Sequence, residues 1–345
     1  MSKLSADLSG VTVVGLDLAK HVFQVHCIDA EGRVVLNRSL RRREVVAFFG
    51  RLPRCLVGLE ACASAHYWGR ELLALGHDAK LIPPAYVKPY VRRQKNDAAD
   101  AAAICEAVTR PSMRFVAVRS IENQALLMHH KVRELLVAQR IQLLNALRGH
   151  LGEAGVIAAQ GACNARALAA LVAAGHEEVP ACVAEALLPL VEQLGQFDAA
   201  IAEADRAIAE AARENADTRR LMSIPGIGPI TAHAIAASLG PDGATQFSGP
   251  REFAAFLGLV PRQRSSGGRE RLGRITKMGN AYLRKLLVVG AHAVLHHNAR
   301  HADPLRTWAR KLLAAKPFKL VAVALANKLA RIAWAVLARE ARYVA

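Results

Sequence analysis

The chain has 345 residues, 52% of them hydrophobic, and a net charge of +17, which together exclude an intrinsically disordered chain. Residues 1–10 lack the basic start and apolar core of a signal peptide, and no uninterrupted apolar run reaches the roughly 18 residues of a membrane span. Residues 216–345 hold 21 basic and 6 acidic side chains, which favours nucleic acid as a partner over the competing possibility of an anionic membrane surface.

The first 112 residues alternate between strand and helix patterns. Residues 11–20, 21–29 and 32–40 are β-branched or alternate in hydrophobicity, and they predict three adjacent antiparallel strands. The remaining predicted elements are helices at 42–51, 65–76 and 97–109 and short strands at 55–60 and 79–82. Three strands followed by alternating helices and strands indicate an α/β domain with a mixed sheet.

Four acidic residues occupy notable places in this pattern. Asp17 and Glu60 end otherwise apolar strands, and Asp97 and Asp100 are three residues apart on one face of a predicted helix. Carboxylates that converge at one edge of a sheet suit Mg²⁺ or Mn²⁺, which can assist phosphoryl transfer. Taken singly, each of these acids is also typical of a solvated strand end or helix surface.

From about residue 119 the pattern becomes helical. Residues 123–151 and 186–214 have apolar side chains at helical spacing, which predicts two long helices. They fit a coiled coil or protruding hairpin, and equally the core helices of a bundle. The Ala-rich segment 152–185 gives no clear pattern, and two more helices are predicted at 300–315 and 317–341.

The sequence "PGIGPITA" at 225–232 places a Gly-x-Gly before a helix start. Backbone N–H groups of Gly226 and Gly228, together with the helix dipole, suit a phosphate of the DNA backbone. The pattern is that of a helix-hairpin-helix motif, although a plain turn between two helices has the same sequence signature.

A strongly basic block follows at 262–285, with Glu270 as its single acid. Its basic residues are Arg262, Arg264, Arg269, Arg271, Arg274, Lys277, Arg284 and Lys285. Ser265 and Ser266 lie in its middle, before two glycines, where a serine could attack phosphorus and arginines could hold the phosphate. A Ser-Gly-Gly stretch by itself predicts only a flexible loop.

Histidine and cysteine spacings carry less information. His292, His296, His297 and His301 include i, i+4 pairs, but no carboxylate accompanies them and a metal site is disfavoured. The six cysteines form no CxxC pair, which disfavours structural zinc and predicts reduced, mostly buried thiols in a cytosolic chain.

These motifs together resemble the DEDD transposases of the insertion-sequence-110 family. The stretches "GLDLAK", "GLEA" and "RRQKNDAADA" and the block "GLVPRQRSSGGRERLGRITKMGNAYLRKLL" occur in the family's order and cover nearly the whole chain. The stretch "EACASAHYWGRELLALGHDAKLIPPAYVKPYV" at 60–91 points to the 1111 subgroup.

The resemblance implies three regions. They are a RuvC-like catalytic domain of the RNase H fold at 1–112, a helical coiled-coil dimerisation region at 113–215, and a mainly helical C-terminal transposase domain with a helix-hairpin-helix at 216–345. Asp17, Glu60, Asp97 and Asp100 match the family's Mg²⁺-binding acidic tetrad. The family's motif has a glycine directly after the nucleophilic serine, which selects Ser266 over Ser265.

The resemblance also implies partners. Family members are recombinases guided by a structured noncoding bridge RNA whose loops pair with target and donor DNA. Their protomers assemble as dimers and then tetramers, and the acidic site of one chain works with the serine of another. A cytoplasmic, nucleoid-associated bacterial enzyme is therefore expected. The alternatives are a RuvC-like metal-dependent endonuclease acting on branched DNA without a serine intermediate, and a non-enzymatic nucleic-acid-binding protein.

Overall fold

A computed structural model of the protein describes residues 7–91, 96–159, 161–240, 243–297 and 303–344. The chain forms two compact units, residues 1–122 and residues 123–345. The predicted division into three functional regions, 1–112, 113–215 and 216–345, stays a prediction.

The first unit is built on a five-stranded mixed sheet. Its strands are β1 (Val13–Asp17), β2 (Val22–Ile28), β3 (Val34–Arg41), β4 (Leu56–Glu60) and β5 (Asp78–Ile82). The order across the sheet is β3-β2-β1-β4-β5, with β2 antiparallel to β1 and β3, and β4 parallel to β1 and β5. The predicted mixed α/β architecture is confirmed.

Four α-helices accompany the sheet in the described part of this unit. They are α1 (Val45–Phe49), α2 (Ala65–Ala74), α3 (Pro84–Val87) and α4 (Asp97–Val108). The start of α4 is fixed by Asn96, whose side chain accepts a hydrogen bond from the Ala99 N–H at 2.8 Å. The predicted helix over 97–109 therefore begins with Asp97 in its first turn.

Helix α4 lies directly on the backbone of the sheet at two glycines. Gly15 of β1 and Gly58 of β4 are paired in register. A Cβ on Gly15 would come within 2.1 Å of the Ala101 carbonyl oxygen and 2.5 Å of the Cys105 nitrogen, and one on Gly58 would come within 2.8 Å of the Val108 Cβ. Because these two glycines have no side chains, α4 packs directly on the backbones of β1 and β4. The first turn of α4 therefore lies near the ends of both strands.

We expect Gly15→Ala to destabilise the first unit by about 3 kcal/mol or more, because α4 must move away from the sheet to admit the methyl group. Thermal denaturation measures this loss. Gly10→Ala is the matched control, since a Cβ there meets nothing within 4 Å. A Gly15→Ala protein as stable as Gly10→Ala would contradict the close packing of α4.

The second unit is mainly helical. Its elements are α5 (Ile121–Glu153, beginning just before the boundary), α6 (Ala162–Ala173), α7 (Ala181–Glu214), α8 (Ala216–Leu221), α9 (Pro229–Leu239), α10 (Pro250–Phe256), β6 (Pro261–Gln263), β7 (Leu272–Ile275), α11 (Ala281–His296), α12 (Pro304–Leu313) and α13 (Phe318–Ala338). The two predicted long helices are present as α5 and α7, and α6 occupies the segment that the sequence left unplaced.

Ion pairs hold α5 and α7 side by side. Arg133 pairs with Asp205, and Arg140 Nη1 lies 3.0 Å from Asp198 Oδ1. Since the partner's number falls as the α5 number rises, the two helices run antiparallel. They form a hairpin, with α6 on the connection between them.

Helix α13 is the one helix in the described ranges that is long and apolar enough to cross a membrane by length and composition alone. Its Val321, Leu325 and Leu329 are almost fully buried in the core of the second unit, against α9, α10 and α11. Burial of this face accounts for its apolar character.

A buried polar network links three helices of the same unit. His130 of α5 lies 2.8 Å from His233 of α9 (Nε2 to Nδ1) and 3.1 Å from the Tyr282 hydroxyl of α11. Burial, and then the neighbouring His233, lowers the pKa of His130 to about 4, so the ring is neutral at pH 7. The network fixes the start of α11 to the long helix α5.

The prediction of mostly buried thiols is wrong for half of the cysteines. Cys27, Cys55 and Cys105 are buried, whereas Cys62, Cys163 and Cys182 are exposed. Cys62 lies in the turn after β4, and the other two lie at the solvent-facing starts of α6 and α7.

Candidate active site and nucleic-acid interface

Two of the four predicted acids end neighbouring parallel strands. Asp17 is the last residue of β1 and Glu60 the last of β4, and the register Leu16 to Leu59 places them at the same edge of the sheet. Asp97 and Asp100 lie in the first turn of α4, which Gly15 and Gly58 hold against these strands. All four belong to the first unit.

The electrostatics of Asp17 reflect this arrangement. Burial, followed by the charges of Asp100, Asp97 and Glu60, raises the pKa of Asp17 from its usual 3.8 to about 6. The backbone N–H of Leu18 opposes this rise in part. The structure therefore brings the four acids within electrostatic reach of one another, while their catalytic role stays a prediction.

The donor chemistry of this acidic cluster fits a hard divalent cation, since it offers only carboxylate oxygens that repel one another. In the described ranges, no group of three or more His, Cys, Asp or Glu side chains is already arranged to hold a metal ion. A divalent cation bound here would complete its coordination with oxygens of water or of a substrate phosphate. His292 and His296 instead contact the Phe318 ring, and His301 lies outside the described residues.

Sequence reasoning missed the polar side chains beside Asp17. Gln24 is the cross-strand neighbour of Asp17 and is itself paired with Ser39. Its side chain donates to the Asn37 Oδ1 at 2.5 Å and accepts from the Ser39 hydroxyl at 2.7 Å. The only signal in the sequence is a glutamine inside an apolar strand, which becomes informative once the strand register is known.

The predicted Ser-Gly-Gly loop is the tip of a β-hairpin in the second unit. Arg264 N–H donates to the Arg271 carbonyl at 2.9 Å, and Arg269 N–H donates to the Ser266 carbonyl at 3.1 Å. Gly267 and Gly268 have φ of +56° and +75°, the positive values that a two-residue type I′ turn requires. The two glycines therefore form the turn between two short strands, and the role of Ser266 as a nucleophile stays a prediction.

The two serines differ in their hydrogen bonds. The Ser265 hydroxyl accepts from the Gln263 Nε2 at 3.1 Å and from the Arg271 N–H at 3.2 Å. The Ser266 hydroxyl has no hydrogen-bond partner among the described residues, and its residue is exposed. Ser265 therefore supports the hairpin, whereas the hydroxyl of Ser266 is available to a ligand.

Most of the basic block surrounds this serine hairpin. Exposed side chains without a carboxylate partner in the described ranges are Arg262, Arg264, Arg269, Arg271, Arg274 and Lys277. Arg262 also donates to the Thr276 carbonyl at 3.2 Å, across the hairpin. The hairpin thus presents uncompensated positive charge around Ser266.

The other two predicted nucleic-acid contacts of the basic block, Arg284 and Lys285, interact with other groups of the protein. Arg284 donates to the carbonyls of Leu257 at 2.8 Å and Met278 at 2.9 Å, and Lys285 pairs with Glu134 at 3.3 Å. These contacts hold the start of α11 in place. A role of Arg284 and Lys285 in binding nucleic acid stays a prediction.

Gly226 and Gly228 lie in or at the end of the loop between α8 and α9. Gly226 packs against Gly290 of α11, since a Cβ on it would come within 2.8 Å of the Gly290 carbonyl oxygen. Gly228 caps α9 with open space around it. The loop joins two short helices, and both the helix-hairpin-helix motif and phosphate binding by the loop stay predictions.

Comparison with known proteins gives matches over both candidate regions. Residues 14–155 match a DEDD transposase model of the IS110 type, and residues 218–306 match the model described as transposase IS116/IS110/IS902 family. A probable family 20 transposase of Pseudomonas aeruginosa is 51% identical over 96% of this chain and 98% of its own length.

Two relatives from insertion sequences are also similar over nearly their whole length. The transposase for insertion sequence element IS1328 of Yersinia enterocolitica is 39% identical over 95% of this chain and 97% of its own. The transposase for insertion sequence element IS1111A of Coxiella burnetii is 38% identical over 99% of this chain and 93% of its own.

Proposed function

The chain belongs to the IS116/IS110/IS902 family of transposases, and from this membership we propose that it is a bridge-RNA-guided DNA recombinase that works through a covalent phosphoserine. As a transposase of an insertion sequence, it is an enzyme that acts on DNA. The observation that carries the proposed mechanism is the Ser266 hydroxyl, which has no partner among the described residues and lies at the tip of a positively charged hairpin.

The first unit is proposed to be the RuvC-like catalytic domain of the RNase H fold. Its strand order, with three antiparallel strands followed by two parallel ones, supports this fold. The acids at the ends of β1 and β4 and at the start of α4 are proposed as the catalytic tetrad. When bound there by Asp17, Glu60, Asp97 and Asp100, Mg²⁺, or Mn²⁺ in its place, would polarise the scissile phosphate.

Ser266 is proposed as the nucleophile. Its Oγ forms a bond to the scissile phosphorus and gives up its proton to solvent, while the bond to the leaving deoxyribose oxygen breaks. That oxygen takes up a proton, and a hydroxyl of another strand later attacks the phosphoserine and releases the serine. The hairpin arginines hold the phosphate oxygens as negative charge builds on them.

The same basic hairpin, with the loop at Gly226 and Gly228, is proposed to track the phosphates of target and donor DNA. The net positive charge of residues 216–345 supports this placement. With only 5% aromatic residues, the chain has few stacking platforms, so RNA would be held mostly by phosphates and shape.

The long-helix hairpin of α5 and α7 is proposed as the coiled-coil dimerisation region, within residues 113–215. Met128, Val132 and Leu135 recur at helical spacing on α5 and are 56%, 54% and 58% exposed. An apolar stripe of this kind favours burial against a second chain. Dimers would then assemble into tetramers, in which the acids of one chain act with the serine of another.

Guidance by RNA is tested by purifying the chain from bacterial cells that carry its complete element, where we propose it acts at the nucleoid. A single structured RNA should copurify, and its addition should be required for recombination between two DNA sites in Mg²⁺. Copurification of bulk RNA only, together with recombination in its absence, would overturn guidance while leaving the chemistry intact.

The second candidate is a RuvC-like, metal-dependent endonuclease on branched DNA, in which water replaces the serine. The acidic cluster alone supports it, because that cluster lies in a unit separate from the serine hairpin. The two candidates differ in whether protein becomes covalently joined to DNA.

A further inference from the structure

A groove of about 520 Å³ runs along one face of α13 in the second unit, bordered by α10 and α12. Its lining includes the apolar side chains of Trp308, Ile332 and Ala335 and the cationic side chains of Lys328 and Arg331. This volume is large enough for a nucleotide-sized ligand. None of these residues belongs to the serine hairpin or the acidic cluster.

The two charged side chains that line the groove, Lys328 and Arg331, are both cations. No acidic residue lines it, and neither Lys328 nor Arg331 has a carboxylate partner in the described ranges. The Lys328 ammonium lies over the Trp308 ring, 4.4 Å from its centre, so this cation packs on the aromatic face.

The wider surface adds to this charge. Exposed cations of α12, α13 and their connection include Arg310, Lys311, Lys316 and Lys319. The two acids in the described residues 303–344 are Asp303 and Glu340, and each already pairs with an arginine. The groove therefore lies in a field that attracts anions.

We propose that this groove binds an unpaired nucleotide of a single-stranded nucleic-acid segment. Lys328 would turn from the Trp308 ring to an adjoining phosphate, and the base would take its place on the ring. Arg331 would contact a second phosphate. Aromatic surface beside unpaired cations is the combination by which proteins bind single strands. An apolar peptide would leave these cations without partners.

The inference goes beyond the proposed recombination chemistry, since it needs neither a cation nor Ser266. Its test uses the full chain without divalent cations and three probes of one sequence: unstructured RNA, the same single-stranded DNA, and its blunt duplex. Single strands should quench tryptophan fluorescence, and the quenching should disappear in Trp308→Phe, which retains Trp68 and Trp334.

Binding affinities measured with labelled probes should likewise differ between single strands and duplex. Trp308→Ala should weaken single-strand binding about 10-fold and leave duplex binding unchanged, because paired bases are not available to the groove. Lys328→Gln and Arg331→Gln should each lower the salt slope of single-strand binding by roughly 0.7. Stronger binding of RNA than DNA, or the reverse, would identify the source of the nucleotide.

Lys316→Gln is the matched control, since it removes one exposed charge between α12 and α13 without lining the groove. It should affect single strands and duplex equally and slightly. The proposal would be overturned if Trp308→Ala lost single-strand and duplex affinity equally, or if the quenching persisted in Trp308→Phe. Thermal melting of each variant distinguishes a lost contact from a lost fold.

Discussion

Ser266→Ala should abolish the covalent protein–DNA adduct and lower recombination by at least about 1,000-fold, because it removes the atom proposed to form the bond to phosphorus. Ser266 is exposed at the turn of the hairpin, and its hydroxyl makes no hydrogen bond among the described residues, so its loss should leave the fold intact. Adduct on denaturing gels and recombinant product from the same reactions measure the effect.

Ser265→Ala is the matched control, because it removes a neighbouring hydroxyl with a different set of contacts. Loss of its hydrogen bonds from Gln263 and Arg271 should loosen the hairpin and cost a few-fold in rate, with the adduct retained. An adduct that survives in Ser266→Ala but not in Ser265→Ala would move the nucleophile by one residue. Wild-type recombination by Ser266→Ala and by the double variant would refute the serine mechanism.

The sequence predicted those parts of the fold that local patterns determine. Asp17 and Glu60 were recognised because a charged residue at the end of an apolar strand is visible in the chain, and Asp97 and Asp100 because their spacing is helical. The packing of α4 on Gly15 and Gly58 could not be predicted from the sequence, since this contact depends on the pairing of β1 with β4. Tertiary contacts, rather than local helix propensity, decide where α4 packs.

The same limit applies to the second unit. No sequence pattern connects His130 with His233 and Tyr282, which are 103 and 152 residues away along the chain. The difference between Ser265 and Ser266 likewise appears only when β6 and β7 are paired, because the partner of Ser265 is the backbone of Arg271. The family motif and the hydrogen bonds independently favour Ser266 as the available hydroxyl.

Asp17→Asn should reduce Mg²⁺-dependent cleavage by at least about 1,000-fold and, at pH 7.5, raise the melting temperature of the metal-free protein. The pKa of Asp17 is raised to about 6 by burial and by Asp100, Asp97 and Glu60, so its ionised form is disfavoured in the fold. Asparagine removes that repulsion. After discounting for solvent screening, the gain is about 1 kcal/mol, or roughly 2–4 °C.

The pH dependence has a definite sign. A carboxyl whose folded pKa is raised costs stability above about 6 and costs little below its usual 3.8. The advantage of Asp17→Asn over the wild type should therefore be full at pH 7.5 and fade as the pH falls from about 6 to 3.8. Differential scanning calorimetry across this range checks it.

Asp29→Asn, in the turn after β2, is the matched control in the same unit, because its electrostatics are opposite. Although desolvation opposes the effect, hydrogen bonds from the backbone and side chain of Arg33 hold the pKa of Asp29 below its usual value. Asp29→Asn should thus retain cleavage and gain no stability. Mg²⁺ should raise the melting temperature of the wild type and of Asp29→Asn, since a cation bound at the proposed site would neutralise the acidic cluster in both. An equal rise in Asp17→Asn would place the cation elsewhere.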